Sequence, residues 1–172
     1  MIDLETLGTK AGCGILAIGA CTFDLEHSFY QKILPAENEH YKLESDPLTL
    51  QWWNRQDKEA REESFSGTRG LIEVCGSFAD WLLQVSRHSS DNNITVWGNG
   101  ADFDLPILSA VYDAINMKKP WKPFNGRCYR TLKNLATEVK PSAFEGVKHT
   151  ALADAQHQAR HAQLLLMALR IK

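Results

Sequence analysis

The order of apolar and polar residues at the start of the chain predicts three β-strands. Apolar residues alternate with acids in Met1–Thr6, Gly14–Asp24 is apolar at nearly every position, and Ser28–Leu34 alternates again. Alternation is typical of a half-buried strand, whereas a continuous apolar run is typical of a central one. The connections are short, so we expect an antiparallel meander. The polar segment 35–44 is expected to be irregular.

The rest of the chain shows helical periodicity, interrupted by one short apolar strand. Asp46 is a good N-cap and Pro47 suits a first helical turn, so a helix is expected to run from there to about Glu63. Apolar residues at helical spacing predict a second helix from Leu71 to Val85. The later elements are a strand at 94–97, a helix from 103–105 to about 116, a short helix at 132–136 and a long helix from 150 to about 170. Polar loops are expected at 64–70, 86–93, 118–125 and 141–147.

This order of elements predicts a single α/β domain. The 172 residues, of which 44% are hydrophobic, suit one compact domain over 1–172, and no repeat, low-complexity tract or linker divides them. Three antiparallel strands, followed by parallel strands that alternate with helices, form a mixed sheet flanked by α-helices. We therefore expect a ribonuclease-H-like fold.

Composition argues against several classes of protein. The formal net charge of −2 does not suit a protein that coats nucleic acid through bulk positive charge. No apolar run is long enough to cross a bilayer, and the first residues do not resemble a signal peptide. The four cysteines are scattered without a CxxC pair, which indicates neither a zinc site nor a disulfide framework. We expect a reduced, cytoplasmic protein with no membrane partner.

Acidic residues recur at the ends of predicted strands and helices in three distant segments. They are Asp3 and Glu5 on one face of the first strand, Asp102 and Asp104 after the strand at 94–97, and Asp154 inside the last helix, with His149 just before it. Each alone could be a solvated residue, an N-cap or a partner of the helix dipole. Together they suit two-metal phosphoryl transfer, in which carboxylates hold two cations roughly 3.5–4 Å apart and a histidine accepts the proton of the attacking water. Mg²⁺ or Mn²⁺ suits such oxygen ligands.

These motifs resemble those of the DEDDh 3′–5′ exonucleases, the DnaQ-like proofreading-exonuclease superfamily. The matching motifs are Asp3-x-Glu5, Phe103-Asp104 and His149-x-x-x-x-Asp154. The segments 2–9, 47–53 and 97–100 look closer to a branch of small bacterial and phage-type 3′–5′ exonucleases that includes exoribonucleases, and the resemblance covers nearly the whole chain. It implies a hydrolase that cleaves phosphodiester bonds at the 3′ end of single-stranded DNA or RNA and releases nucleoside 5′-monophosphates.

The resemblance also implies residue roles. Two divalent cations, Mg²⁺ or Mn²⁺, would be held by the four acids that match the family's motifs, and the histidine would be the general base. The catalytic set is therefore Asp3, Glu5, Asp104, Asp154 and His149, of which the four acids are the metal ligands. The second-motif acid follows a phenylalanine, which selects Asp104 over Asp102. We expect Asp102 to cap the helix or to support the site.

Substrate contacts are expected beside these acids. In the family, the turn after the first motif, here Thr6-Leu7-Gly8, receives the 3′-terminal nucleotide, and Asn99 lies beside the second motif. Trp52 and Trp53 cannot share one helix face, so one should pack inward while the other could stack on a base. We name Trp53 as the candidate contact.

Other polar residues carry weaker expectations. Lys148, Arg127 and Arg130 are candidate phosphate partners, although solvated surface residues are the default for all three. His157 and His161 lie four apart, as metal ligands can, but they lack a carboxylate or cysteine partner at suitable spacing, so we expect ordinary helix residues.

Two alternatives to a general 3′–5′ exonuclease stay open. An exoribonuclease specialised for RNA would share the chemistry and differ in its contacts to the 2′-hydroxyl group. A non-catalytic nucleic-acid-binding module on the same fold would be expected to have lost part of the metal set, yet all five positions are filled. Many relatives dimerise, so a homodimer is also possible.

Overall fold

A computed structural model describes residues 1–87 and 94–171 of the chain. The elements in this part are β1 Ile2–Thr6, β2 Ile15–Cys21, β3 Ser28–Lys32, α1 Pro35–His40, α2 Pro47–Trp53, α3 Lys58–Phe65, α4 Leu71–Arg87, β4 Val96–Gly98, α5 Asp104–Ala114, β5 Gly126–Cys128, α6 Tyr129–Leu135 and α7 Ala151–Ala168. Most of the loop expected at 86–93 lies outside the described residues. The architecture is mixed α/β, which confirms the predicted ribonuclease-H-like class of fold.

The first three strands form the predicted antiparallel meander, in the order β1-β2-β3. Asp3 of β1 lies opposite Gly19 of β2, and Glu5 lies opposite Ala17. Strands β4 and β5 pair in parallel, and β4 lies beside β1. Strand β1 carries Asp3 and Glu5, and the segment with Asp104 follows β4. The contact between the two strands therefore brings the first two acidic segments to the same region.

The two faces of β1 meet different parts of the protein. Ile2 and Leu4 are buried in a core shared with α4 and α5, whereas Asp3 and Glu5 point to the opposite face, as the alternation along a strand requires. Helix α7 packs against β1 and β2. The acids of β1 and the acid of α7 therefore face each other across one side of the sheet.

The close packing of α7 depends on small residues. A Cβ atom at Gly19 would overlap the backbone of Ala151 and Leu152, so only glycine lets the start of α7 approach β2 this closely. The residues of α7 that are fully buried include four alanines, namely Ala151, Ala155, Ala159 and Ala162. This close approach of α7 to the sheet places Asp154, in the first turn of the helix, directly against β1.

Two predictions about local structure are wrong. The segment expected to be irregular contains α1, whose Asn38 is buried and uses its amide to bond the backbone N–H and C=O of Ile15. The helix expected from Pro47 to Glu63 is two helices, because residues 54–56 form a turn and Asp57 is extended at ψ 140°. Both features arise from tertiary contacts or from a local turn that apolar periodicity does not record.

The remaining boundaries agree closely with the expected ones. Asp46 caps α2 by accepting from the N–H of Leu48, with Pro47 at the first helical position, and α4, α5 and α7 lie where predicted. Strand β5 was not predicted, because Gly126–Cys128 has no apolar alternation, and α6 begins three residues earlier than expected. Among the helices of the described chain, none combines the length and apolar character needed to cross a membrane.

Candidate active site

Three carboxylates from opposite ends of the chain meet on the α7 side of β1. Ligand oxygens of Asp3, Glu5 and Asp154 lie within 4.8 Å of one another. Asp3 and Glu5 share a face because they are two residues apart in a strand, and Asp154 reaches them from the first turn of α7. The structure thus brings together the first and third acidic segments that the sequence singled out.

A fourth carboxylate, that of Asp104, is inserted between β1 and β4. Its Oδ2 accepts from the N–H of Asn99 at 2.6 Å, and the nearby N–H of Leu4 also favours the charged form of the carboxylate. Asp104 is 1% exposed, and its Oδ1 is buried without a partner in the described chain. Gly98 permits this packing, because a Cβ there would lie 2.9 Å from the Cβ of Asp104.

Asp102, by contrast, is exposed and stands outside this group. Helix α5 begins after Phe103, and no side chain caps its first turn, so the capping role predicted for Asp102 is wrong. Asp104 is therefore the buried acid of the two, and its role as the second-motif acid stays a prediction.

The pKa values of all four carboxyl groups are raised. Burial raises the pKa of Asp3 well above its ordinary value, and the neighbouring negative charges raise it further. Burial, followed by repulsion from Asp154 and Asp104, raises the pKa of Glu5 from 4.5 to about 8. Burial also raises the pKa of Asp104 to about 6, against the hydrogen bonds that it accepts, and raises the pKa of Asp154.

This arrangement fits divalent cations. Without a cation, burial and mutual repulsion disfavour the charged forms of these groups, and a nearby divalent cation would remove that penalty by favouring the charged form of each group. All the donors are oxygen atoms, which suits Mg²⁺ or Mn²⁺, and the partnerless Oδ1 of Asp104 is available as a further ligand. Asp3, Glu5, Asp104 and Asp154 are therefore the residues that could hold metal.

His149 lies on the loop that leads into α7, in a left-handed backbone conformation with φ 61°. Its N–H donates to Asp154 Oδ2 at 2.8 Å, and the hydroxyl of Ser64 donates to its carbonyl oxygen at 3.5 Å. The imidazole meets Trp52 edge to face, with ring centroids 5.0 Å apart. Backbone and ring of the candidate base are thus both held beside the acids.

Trp53, the tryptophan named as the candidate substrate contact, lies in the interior and not at the surface. Its side chain is 1% exposed, packs against Phe65 and donates from Nε1 to the carbonyl oxygen of Thr6 at 2.9 Å. Neighbouring positions on a helix point in different directions, so when Trp53 packs inward Trp52 must point outward. Trp52 is 41% exposed, and it becomes the candidate for stacking on a base.

The turn at Thr6, Leu7 and Gly8 lies directly after the acids of β1. The Thr6 hydroxyl donates to the Gly8 carbonyl at 2.7 Å, and the Leu7 N–H donates to the carbonyl of Gly14. All three residues are buried, and Leu7 packs beside Trp53. Their contact with a 3′-terminal nucleotide stays a prediction.

Asn99 connects the second motif to a cationic side chain. Its N–H is held by Asp104, its carbonyl accepts from Arg130 at 2.8 Å, and its side-chain Oδ1 is buried without a partner in the described residues. Burial raises the pKa of Asp104, and the charge of Arg130 partly opposes that rise. Arg127 donates to two nearby carbonyl groups, and Lys148 is exposed. Substrate contacts of these residues stay predictions.

The sequence analysis did not identify Gln158, a residue of α7 whose side-chain amide donates a hydrogen bond to Asp3. Its position four residues after Asp154 was the available signal, since such residues share a helix face. His161, in contrast, is buried between the Tyr129 hydroxyl and the Val139 carbonyl, and the ring of His157 contacts Phe144. Neither histidine joins the acidic cluster.

A comparison with protein-family models finds a match over nearly the whole chain. The family model described as "3'-5' exoribonuclease Rv2179c-like domain" matches residues 1–166, which include all five residues of the predicted catalytic set. A search of curated proteins finds nothing that matches the chain.

Proposed function

The chain belongs to the family of Rv2179c-like 3′-5′ exoribonuclease domains, and we propose that it is a DEDDh-type exonuclease that uses two divalent cations. Membership makes it a hydrolase that acts on the phosphodiester bonds of nucleic acid. The proposal adds that it degrades single strands from the 3′ end, releases nucleoside 5′-monophosphates and accepts DNA, RNA or both. Mg²⁺ and Mn²⁺ are the proposed cofactors.

One observation carries this proposal, namely the group of buried carboxylates with raised pKa values around β1. Oxygens of Asp3, Glu5 and Asp154 lie within 4.8 Å of one another, and Asp104 adds a buried oxygen that has no partner among the described residues. Such a cluster destabilises the metal-free protein at neutral pH. A metal-dependent function explains why so unfavourable a set is present.

The chain's own residues then have defined tasks. The carboxylates of Asp3, Glu5, Asp104 and Asp154 would bind the cations, which when bound would lower the pKa of the attacking water and stabilise the leaving oxygen. His149 would accept the proton of that water on a ring nitrogen as the water oxygen attacks phosphorus. The bond from phosphorus to the 3′-oxygen of the preceding nucleotide breaks, and that oxygen takes up a proton.

Trp52 supports a substrate that is single-stranded. Its exposed indole stands against His149, so a base that stacks on it would lie at the edge of the carboxylate cluster. Stacking tolerates any base but requires that the base be unpaired. The choice between DNA and RNA depends on contacts to the 2′-hydroxyl group, and the direct comparison is the kcat/KM of matched RNA and DNA oligonucleotides.

The two acids of the second motif provide a sharp test. A 5′-labelled single-stranded oligonucleotide is incubated with Mg²⁺ or Mn²⁺ and the wild type, Asp104→Asn or Asp102→Asn. Asp104→Asn should abolish the 3′ shortening, because Asp104 is buried among the acids, and the exposed Asp102→Asn should retain it. The released product should be a nucleoside 5′-monophosphate.

Other results would overturn the proposal. If Asp104→Asn and the wild type shorten the oligonucleotide equally, the carboxylates are not the catalytic centre. If the wild type binds the oligonucleotide but releases no nucleotide with either cation, the chain is a binding module that has kept the fold.

A further inference from the structure

Gln158 is an exception within the buried face of α7. It is 6% exposed, and the other residues of this face that pack near it are mainly alanine, including Ala155, Ala159 and Ala162. Its Nε2 donates to Asp3 Oδ1 at 2.7 Å. Its Oε1 is buried and has no partner in the part of the chain that the structure describes.

The burial of this amide is not explained by stability. A buried polar atom without a hydrogen bond lowers the stability of the folded state, and an apolar side chain would avoid that penalty. His161, one turn further along α7, shows the contrasting case, because both of its ring nitrogens have partners. In the described chain, the Nε2 of Gln158 has a hydrogen-bond partner and its Oε1 has none. The partner of Nε2 is Asp3, a proposed metal ligand.

The hydrogen bond has a specific effect on Asp3. A carboxylate has two oxygens with about four acceptor sites, and the Gln158 amide occupies one of them on Oδ1. The bond therefore restrains rotation of the carboxylate and leaves Oδ2 and the remaining site of Oδ1 for other ligands. Hydrogen bonds of this kind orient metal ligands, and their loss typically weakens metal binding by about 10- to 100-fold.

We propose that Gln158 is a positioning residue for the metal site, which holds the Asp3 carboxylate in the orientation that binds divalent cations. The inference rests on the proposed metal-dependent function. It assigns to Gln158 a contribution to metal affinity rather than to the hydrolytic step, since the amide contacts the ligand and not the reacting atoms.

The test is a calorimetric titration of the full chain with Mn²⁺. Gln158→Met keeps the length of the side chain and removes the amide, and Gln156→Met makes the same change on α7 at a residue outside the carboxylate cluster. Gln158→Met should raise the Kd for Mn²⁺ by about 10- to 100-fold, and Gln156→Met should leave it unchanged. The Mn²⁺ concentration for half-maximal nuclease activity should rise by the same factor, with kcat at saturating Mn²⁺ within a few-fold of wild type.

Circular dichroism in EDTA establishes that each variant is folded, and Gln158→Leu replaces Gln158→Met if the latter is not. If the wild type binds Mn²⁺ and the Gln158 variant binds it equally well, the inference is overturned while the proposed function stands. If the wild type itself binds no Mn²⁺, the proposed function fails and the inference fails with it.

Discussion

The backbone N–H of His149 donates a 2.8 Å hydrogen bond to Oδ2 of Asp154. The candidate base and a candidate metal ligand are therefore linked directly, and not only by their spacing in the sequence. The bond closes the turn at the start of α7, and His149 adopts the left-handed conformation within it. The ring contact with Trp52 places the imidazole beside this turn, close enough for its charge to act on Asp154.

Removing this imidazole should slow hydrolysis without removing the metal. Glycine adopts the left-handed conformation without strain, so His149→Gly should keep the hydrogen bond to Asp154. We expect kcat to fall by roughly 10²–10⁴-fold while the Kd for Mn²⁺, measured by calorimetry, stays near the wild-type value. Added imidazole should restore part of the rate.

The control for this prediction is His40→Asn, at the exposed end of α1, which should retain full activity. A His149→Gly variant that is folded but binds no Mn²⁺ would mean that His149 belongs to the metal site and is misassigned as the base.

The carboxylate cluster should make the metal-free protein less stable as the pH rises. The folded-state pKa of Glu5, about 8, exceeds its ordinary value of 4.5, so the folded protein binds this proton more tightly than the unfolded chain. The contribution of protonated Glu5 to stability is complete below pH 4.5 and is lost as the pH rises to about 8. In EDTA, Glu5→Gln should therefore have a higher Tm than the wild type at pH 8 and a similar Tm at pH 5.

Mn²⁺ should reverse that order, because it stabilises the wild type at pH 8 more than Glu5→Gln. Differential scanning calorimetry measures the Tm of both proteins at the two pH values, with and without Mn²⁺. A wild-type Tm above that of Glu5→Gln at pH 8 in EDTA would contradict the account of the cluster.

The two adjacent tryptophans should respond differently to truncation. Trp53→Ala removes a buried ring and its hydrogen bond to Thr6, so the free energy of unfolding should fall by about 3–5 kcal/mol. Trp52→Ala should leave stability nearly unchanged and raise the KM for a single-stranded oligonucleotide by roughly 5- to 150-fold, as expected for about 1–3 kcal/mol of stacking. Urea unfolding and steady-state kinetics separate these effects. An unchanged KM for Trp52→Ala would exclude base stacking there.

Sequence alone was sufficient for the features that depend on local periodicity. Alternation placed Asp3 and Glu5 on one strand face, and the resemblance to the family's motifs implied that Asp104 and Asp154 lie near them, where the structure has them. Sequence alone was not sufficient where a contact between residues far apart in the chain determines which side chain is buried or which side chains pair. Which of Trp52 and Trp53 is buried depends on β1 and α3 beneath the helix, and the pairing of Gln158 with Asp3 joins residues 155 positions apart.

Gly19 is a further residue whose importance only the packing reveals. A Cβ there would overlap the backbone of Ala151, so Gly19→Ala should displace α7, lower the free energy of unfolding by about 1–3 kcal/mol and weaken Mn²⁺ binding through Asp154. Gly76 in α4 provides the matched control, because a Cβ there would approach only the end of Met117, at 4.0 Å. Gly76→Ala should be neutral or stabilising by about 0.5–1 kcal/mol in urea unfolding. Equal stability of the two variants would contradict this packing argument.

We propose that the carboxylates around β1 hold the cations with which the protein hydrolyses nucleic acid from its 3′ end. The most direct test of this proposal compares the wild type with Asp3→Ala on a 5′-labelled single-stranded oligonucleotide in Mg²⁺ or Mn²⁺. We expect the wild type to shorten the oligonucleotide progressively from its 3′ end. Asp3→Ala, and the wild type in EDTA, should not shorten it. Equal degradation by the wild type and Asp3→Ala would contradict it.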